Sequence, residues 1–279
     1  MTPSSMHPVR PTSPVAPYMG GKRHLAGRII DRLAEIPHTT YVEPFVGMGG
    51  VFLRRPFRAQ AEVINDISGD VITLFRMLQR HYEALMDMLK WQITSRAEFE
   101  RLVAAAPETL TDLERAARFL YLQRLAYGGK VTGRNFGVSA ATPGRFDVTK
   151  LQAHLDEVHD RLAGVVVERL PYAELLARYD TPATLFYLDP PYWQCETDYG
   201  TGVFAPADFS RLATLLAGLK GQFLMSINDA PQIREIFAAF DIEEVDTVYT
   251  IGAATAGPAD VKELLIGRVR GRRDLFSQV

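Results

Sequence analysis

The chain reads as an α/β protein built on a mostly parallel sheet with helices on both faces. Three observations predict this. Short β-branched or aromatic runs alternate with segments of helical apolar spacing. Several of those runs end on an acid or a glycine, with no hairpin turn in view. The run TLFYL is apolar throughout, as a strand covered on both sides must be. With 279 residues and 47% apolar content the chain can bury one large α/β core, with or without a smaller insertion.

The elements follow in order. Residues 1–17 carry five prolines and little apolar material, so a disordered, Pro-rich tail is expected there, with order beginning near Tyr18. Leu25, Ile29, Ile30 and Leu33 mark a helix over 25–36. TTYVEPFVG (39–47) is a strand closed by glycine, and AEVIND (61–66) is a second strand ending in an acid. From 68 to 127 the text is helical, broken near 91–96 and 106–111. The segment 128–148, rich in Gly, Ser, Thr and Asn, is expected to be a loop. GVVVERL (164–170), TLFYLD (184–189) and GQFLMSIND (221–229) are strands separated by helices, and EEVDTVYTI with KELLIGRV forms a closing antiparallel pair. Ligands in such sheets sit outside the carboxyl ends of the strands.

Composition excludes several function classes. Cys195 is the only cysteine, which rules out an intrachain disulfide and leaves no thiolate metal site, and the six histidines show no paired ligand spacing, so no metal is expected. No run approaches the roughly 18 to 20 apolar residues needed to span a bilayer, and the N-terminus lacks a signal-peptide core. A cytoplasmic location without membrane partners is therefore expected. The formal net charge of −2 hides a local asymmetry: between Arg118 and Arg145 there are five cations and no acid. That stretch reads either as a solvated loop or as a surface for phosphates and base edges.

Three motifs could carry chemistry. In YVEPFVGMGGVFL a strand meets Gly47-Met48-Gly49-Gly50, where glycines permit a tight turn and close backbone approach to a ligand. Asp66, 19 residues after Gly47, ends the next strand, where an acid can accept hydrogen bonds from ribose hydroxyls. The spacing is G-x-G-G and no G-K-[ST] is present, which points to a nucleoside cofactor other than a dinucleotide or ATP. PYMGGKR (17–23) places Tyr18 and Lys22 before a helix, as an ordinary loop or as a cover for that cofactor. The third motif, Asp189-Pro190-Pro191-Tyr192, sets a carboxylate at a strand end on a rigid, extended exit. Asp189, the Pro190 carbonyl and the Tyr192 ring together suit a planar base carrying an exocyclic amine, flipped out of its duplex.

With these residues in place, the chain resembles the Dam-type, alpha-group N6-adenine DNA methyltransferases from Tyr18 to about Arg268. PYMGGK, VEPFVGMGGVF, NDIS, FLYLQRLAYGG, DPPY and KELL occur in that family's order. The resemblance implies a seven-stranded, Rossmann-like methyltransferase sheet with a reversed last strand, formed by 18–67 and 164–279, and a helical target-recognition insert at 68–163. It implies S-adenosyl-L-methionine as cofactor, contacted by Tyr18, Gly21, Lys22, Glu43, Phe45, Gly47, Gly49, Asp66 and Asp189. Asp189, Pro190, Pro191 and Tyr192 would receive the adenine, and Asn228 would support them. Arg124, Lys130, Arg134 and Asn135 would contact double-stranded DNA. A homodimer and a separate cognate endonuclease of a restriction-modification pair stay open as partners.

Two departures matter. The recognition segment diverges after its opening helix, so the GATC target of some members does not transfer, and the loop 252–260 lacks the basic residues some members carry there. Other readings keep the cofactor and change the acceptor to cytosine N4, an RNA base or a glutamine amide, or keep the fold as a DNA-binding regulator without turnover. The Asp of D-P-P-Y favours adenine over the S-P-P-Y and N-P-P-Y patterns of those enzymes.

Overall fold

The computed structural model describes residues 6–137, 141, 143–196, 202–248 and 260–268. In chain order the elements are strand β1 (His7–Pro8), helix α1 (Ala26–Ala34), strands β2 (Thr40–Glu43), β3 (Phe57–Arg58) and β4 (Ala61–Asn65), then helices α2 (Gly69–Arg80), α3 (Tyr82–Leu89), α4 (Arg96–Ala104), α5 (Asp112–Leu125) and α6 (Val148–Arg161). There follow β5 (Val166–Glu168), α7 (Tyr172–Tyr179), β6 (Thr184–Leu188), α8 (Pro206–Gly218), β7 (Gln222–Asn228), α9 (Pro231–Ile236), β8 (Asp241–Val248) and β9 (Asp260–Gly267).

Seven strands form one sheet in the order β5-β4-β2-β6-β7-β9-β8. The first five are mutually parallel, and β9 runs antiparallel between β7 and β8. The strand order reverses between β2 and β6, which makes their carboxyl ends the switch point where a ligand crevice opens. Side chains alternate between two cores. Tyr41, Ile64, Leu185 and Tyr187 face α1, α2, α5 and α6, whereas Val42, Val63, Phe186 and Leu188 face α7, α8 and α9. Every residue of β6 is buried, as a central parallel strand requires.

The helical segment does not have a core of its own. Residues of α2, α3, α5 and α6 share one apolar cluster with the sheet strands, and α2 packs most heavily on α5. A capping box at Thr111 and Glu114 starts α5, and the Ser95 hydroxyl caps α4, which accounts for the two breaks expected before them. Two buried arginines tie this side together: Arg55 Nη1 lies 2.8 Å and Arg161 Nη1 2.6 Å from the carboxylate of Glu62 on β4.

The N-terminal segment differs from the expected mobile tail. From residue 6 onward it is an extended strap: β1 pairs with β3, Val15 and Ala16 are buried, Thr12 donates to Glu157, and Ser13 bonds His154. Its prolines fix an extended path at little further entropic cost, and two of its amides find partners on the neighbouring turn, Val9 N on Pro56 O and Thr12 N on Leu53 O. Composition averages over a segment and misses such specific anchors. Among the described residues no helix is long and apolar enough to cross a membrane, and no group of three or more His, Cys, Asp and Glu stands together as for a metal ion.

Candidate active site

A cavity of about 950 Å³ opens at the carboxyl ends of β2, β4 and β6. The wall includes Tyr18, Gly21, Lys22, Glu43, Phe45, Gly47, Asp66 and Asp189, so motifs separated by up to 171 residues meet in one place. Gly47 and Gly49 adopt φ of +50° and +76°, which disfavours a side chain. At Gly47 a Cβ would also stand 3.1 Å from the Tyr18 ring, so the ring lies directly on the glycine loop. Gly49 is not in the wall: a Cβ there would meet Leu53 at 2.9 Å, and its role is the turn itself.

Asp66 follows β4 and faces the same cavity. The Gly47 amide donates to its Oδ2 at 2.9 Å and the Ser68 amide to its Oδ1 at 2.8 Å, which locks the carboxylate across the end of the glycine loop. Burial pushes its pKa up to about 6 against the pull of those amides. The Ile67 amide adds a third backbone interaction to the same carboxylate.

Asp189 leaves β6 beside Lys22. The lysine ammonium is 2.8 Å from Asp189 Oδ1, and the Ser226 hydroxyl donates to the same oxygen at 3.4 Å. Among the described residues nothing donates to Oδ2. Burial raises Asp189 to about 6, while Lys22 pulls it down and the charge of Glu263 pushes it up. Glu43, at the end of neighbouring β2, is raised by burial to about 8, although the Tyr41 hydroxyl donates to it at 2.8 Å.

The rest of D-P-P-Y is distributed differently from the expectation. Pro191 reaches the wall, but Pro190 and Tyr192 do not. The Tyr192 hydroxyl accepts from Lys22 and donates to Glu263, behind the Lys22–Asp189 pair. Asn228 acquires a defined place: its Oδ1 accepts from the Trp193 amide at 2.8 Å and its Nδ2 donates to the Trp193 carbonyl at 3.3 Å, clamping the loop after Tyr192.

The basic stretch divides into inward and outward residues. Arg124 donates to the Val15 carbonyl at 2.5 Å and to the Arg145 carbonyl at 3.1 and 3.0 Å, which uses it to hold the N-terminal strap. Arg134 is half-buried, on Gln123 Oε1 and the Lys130 carbonyl. Lys130 and Asn135 are exposed on an irregular hairpin closed by the Ala126–Phe136 bridge. Beside that bridge Tyr127, whose amide donates to the Asn135 carbonyl, is 58% exposed, an aromatic that the motifs do not single out. Gly129 of this hairpin packs against the Pro17 and Tyr18 backbone, where a Cβ would stand only 3.0 Å away, so the hairpin abuts the cavity mouth. Also missed were Arg23, Arg54 and Arg211 and the aromatic wall of Tyr172 and Phe204. No motif flags them, because they converge only in three dimensions. The loop 252–259 lies outside the described residues.

Residues 18–251 match the family described as D12 class N6 adenine-specific DNA methyltransferase. The chain is similar to the type II methyltransferase M.CviBI of Paramecium bursaria Chlorella virus NC1A, at 23% identity over 85% of this chain and 90% of the relative. It is 25% identical to the type II methyltransferase M1.LlaDCHI of Lactococcus lactis subsp. cremoris, over 91% and 94% of the two chains. It is 26% identical to the DNA adenine methylase of Escherichia coli K12, over 80% and 84%. The acceptor is therefore adenine N6 in DNA, and the readings with another acceptor or without turnover fall away. The chain belongs to the D12 class of N6 adenine-specific DNA methyltransferases.

Proposed function

We propose that the cavity binds S-adenosyl-L-methionine beside an adenine flipped out of duplex DNA, with Asp189 as the group that orients the reacting amine. The observation that carries this reading is the asymmetry of the Asp189 carboxylate. Lys22 and Ser226 both address Oδ1, leaving Oδ2 for a donor from the substrate. An N6 amine donating to Oδ2 and to the Pro190 carbonyl has its lone pair drawn out of ring conjugation and aimed along the cavity. Oδ2 is also positioned to take the proton that N6 must lose. The Tyr192 ring stands behind the Lys22–Asp189 pair, with the lysine ammonium 4.3 Å from its centroid, and supports the carboxylate from outside the cavity wall.

The cofactor fit rests on the opposite half of the cavity. Tyr18 lies over the bare Cα of Gly47, and Asp66 beside it presents to the cavity a carboxylate, fixed by backbone amides, of the kind that accepts from ribose hydroxyls. Tyr18, Gly21, Phe45 and Gly47 would line the methionine and adenosine parts, with Glu43 beside Asp189. When bound, the sulfonium supplies the electrophilic methyl group. The protein's part is to hold the amine, exclude water and keep Asp189 charged.

For DNA, the exposed Lys130, Asn135 and Tyr127 on the hairpin are the contact residues, with the helical segment as their support. The type II names of two relatives support a restriction-modification role with a separate endonuclease. The test is transfer of a labelled methyl group to duplex DNA by wild type, Asp189→Asn and Asp66→Ala. Asp189→Asn should lower the rate constant about 10²- to 10³-fold with cofactor affinity little changed. Asp66→Ala should weaken cofactor binding about tenfold or more. Near-normal turnover of Asp189→Asn would remove the carboxylate from the mechanism.

A further inference from the structure

The reversed strand β9 contributes a buried acid, Glu263 of the KELL stretch, to which the sequence assigns no role. Glu263 is 0% exposed, and it lies opposite Asn228 in the β7–β9 register, so the two side chains project from the same face of the sheet. Asn228 grips the Trp193 backbone, and one residue earlier the Tyr192 hydroxyl donates to Glu263 Oε1. Glu263 Oε2 stands 3.4 Å from Lys22 Nζ, the ammonium that reaches Asp189 Oδ1 at 2.8 Å. Lys22 Nζ thus donates to the Tyr192 hydroxyl and lies within ion-pair distance of both Asp189 and Glu263, whose buried Oε2 has no hydrogen-bond partner among the described residues and meets the ammonium through charge alone.

We propose that Glu263 is a positioning residue for methyl transfer, holding Tyr192 on one carboxylate oxygen and Lys22 on the other, and so fixing which Asp189 oxygen the lysine occupies. This rests on the reading of Asp189 as the group that receives the adenine amine. Without Glu263 the ammonium is free to swing across the Asp189 carboxylate and cover Oδ2, and the Tyr192 ring loses the anchor of its hydroxyl. Glu263 belongs to the cavity wall but is fully buried there, behind Lys22 and Tyr192. It acts through Lys22 and Tyr192.

Among the described residues, six groups face Asp189. They are Lys22 from the N-terminal loop, Glu43 from β2, Tyr187 on β6, Tyr192 on the following loop, the Ser226 hydroxyl on β7 and Glu263 on β9. Of these, Glu263 is the anion paired with the same lysine. Its removal leaves Lys22 to Asp189 alone, which favours the charged carboxylate at lower pH.

The experiment measures single-turnover rate constants against pH for the full-length wild type, Glu263→Gln, Lys22→Met, the double variant and Asp189→Asn, with melting temperature and cofactor affinity for each. Glu263→Gln keeps an acceptor for Tyr192 and removes the charge. Its acid limb should move down by about half a pH unit or more, and its plateau rate should fall about ten- to a hundredfold through misplaced Lys22. Because Glu263 acts through Lys22, adding Glu263→Gln to Lys22→Met should change the rate less than about threefold.

An unmoved acid limb with an unchanged plateau overturns the proposal. So do multiplicative losses in the double variant, or a Glu263→Gln protein too unstable to assay, since each assigns Glu263 a purely structural place. Asp189→Asn separates the two readings. If it retains turnover, the site assignment itself fails; if it is inactive while Glu263→Gln behaves as wild type, only the role of Glu263 is lost.

Discussion

At Asp189 two donors crowd one carboxylate oxygen and none of the described residues donates to the other. That inequality underlies the proposal that the residue accepts from an incoming amine, for which its ionised form is the stronger acceptor. Burial sets its pKa at about 6, so methyl transfer should rise as pH passes through about 6 and level off above it. A pH–rate profile at saturating DNA and cofactor checks this, and a flat profile down to pH 5 would count against it. Glu43 makes a separate prediction about stability. Its pKa is raised to about 8 in the fold, so the folded state binds the proton more tightly than the unfolded chain does. That contribution is present in full below the unfolded pKa near 4.5 and is lost as pH rises towards 8. Glu43→Gln retains an acceptor for Tyr41 without the charge, so its stability relative to wild type should grow by a few kcal/mol between pH 5 and 8. Denaturant melts across that range give the sign. Asp189, Asp66 and Lys22 are legible in the sequence because each sits in a short motif whose chemistry is local. Glu43's protonation and Glu263's partners are not, because both depend on which strands become neighbours.

The strands and their order follow from the text more closely than the ends of the chain do. The apolar runs predicted as strands appear in the sheet, and the antiparallel closing pair is β8 with β9. The strap of residues 6–17 is illegible because its anchors are isolated contacts with residues distant in sequence, from the two-residue β1–β3 pair to Thr12 on Glu157 and Gln123 on the Pro17 carbonyl. The glycine loop between β2 and the Phe52–Arg54 turn supplies an element-scale prediction. Gly47→Ala meets both a positive φ and the Tyr18 ring, so Tyr18 must move off the cleft. Cofactor affinity should drop about tenfold or more while the melting temperature changes by only a few degrees. Titration calorimetry with S-adenosylhomocysteine measures it. On the other side of the sheet, Glu62→Gln leaves Arg55 and Arg161 buried with a neutral partner, and should destabilise the fold by about 3 to 5 kcal/mol. Chemical denaturation would show it, and an effect under 1 kcal/mol would mean that the arginines find water.

Over the whole molecule, the cavity and the exposed hairpin adjoin through Gly129 and Tyr18, so the proposed DNA contacts and the proposed cofactor contacts would share one backbone junction. The net charge of −2 says nothing of this; the side chains that remain outward on the hairpin do. Lys130→Ala should reduce the slope of log affinity against log salt by about one unit for duplex DNA, whereas Arg124→Ala should act through stability because its guanidinium is bound to Val15 and Arg145 carbonyls. The sequence alone assigns both arginine and lysine to the same basic stretch and cannot sort inward from outward. The central claim is that the carboxylate at the end of β6 directs methylation of adenine N6. Its most direct test is single-molecule sequencing of DNA from a methylation-free host expressing this chain, beside an Asp189→Asn control of equal abundance. The account predicts N6-methyladenine in one short motif with wild type and none with the control. The same modified adenines in both samples, or modification confined to cytosine, would contradict it.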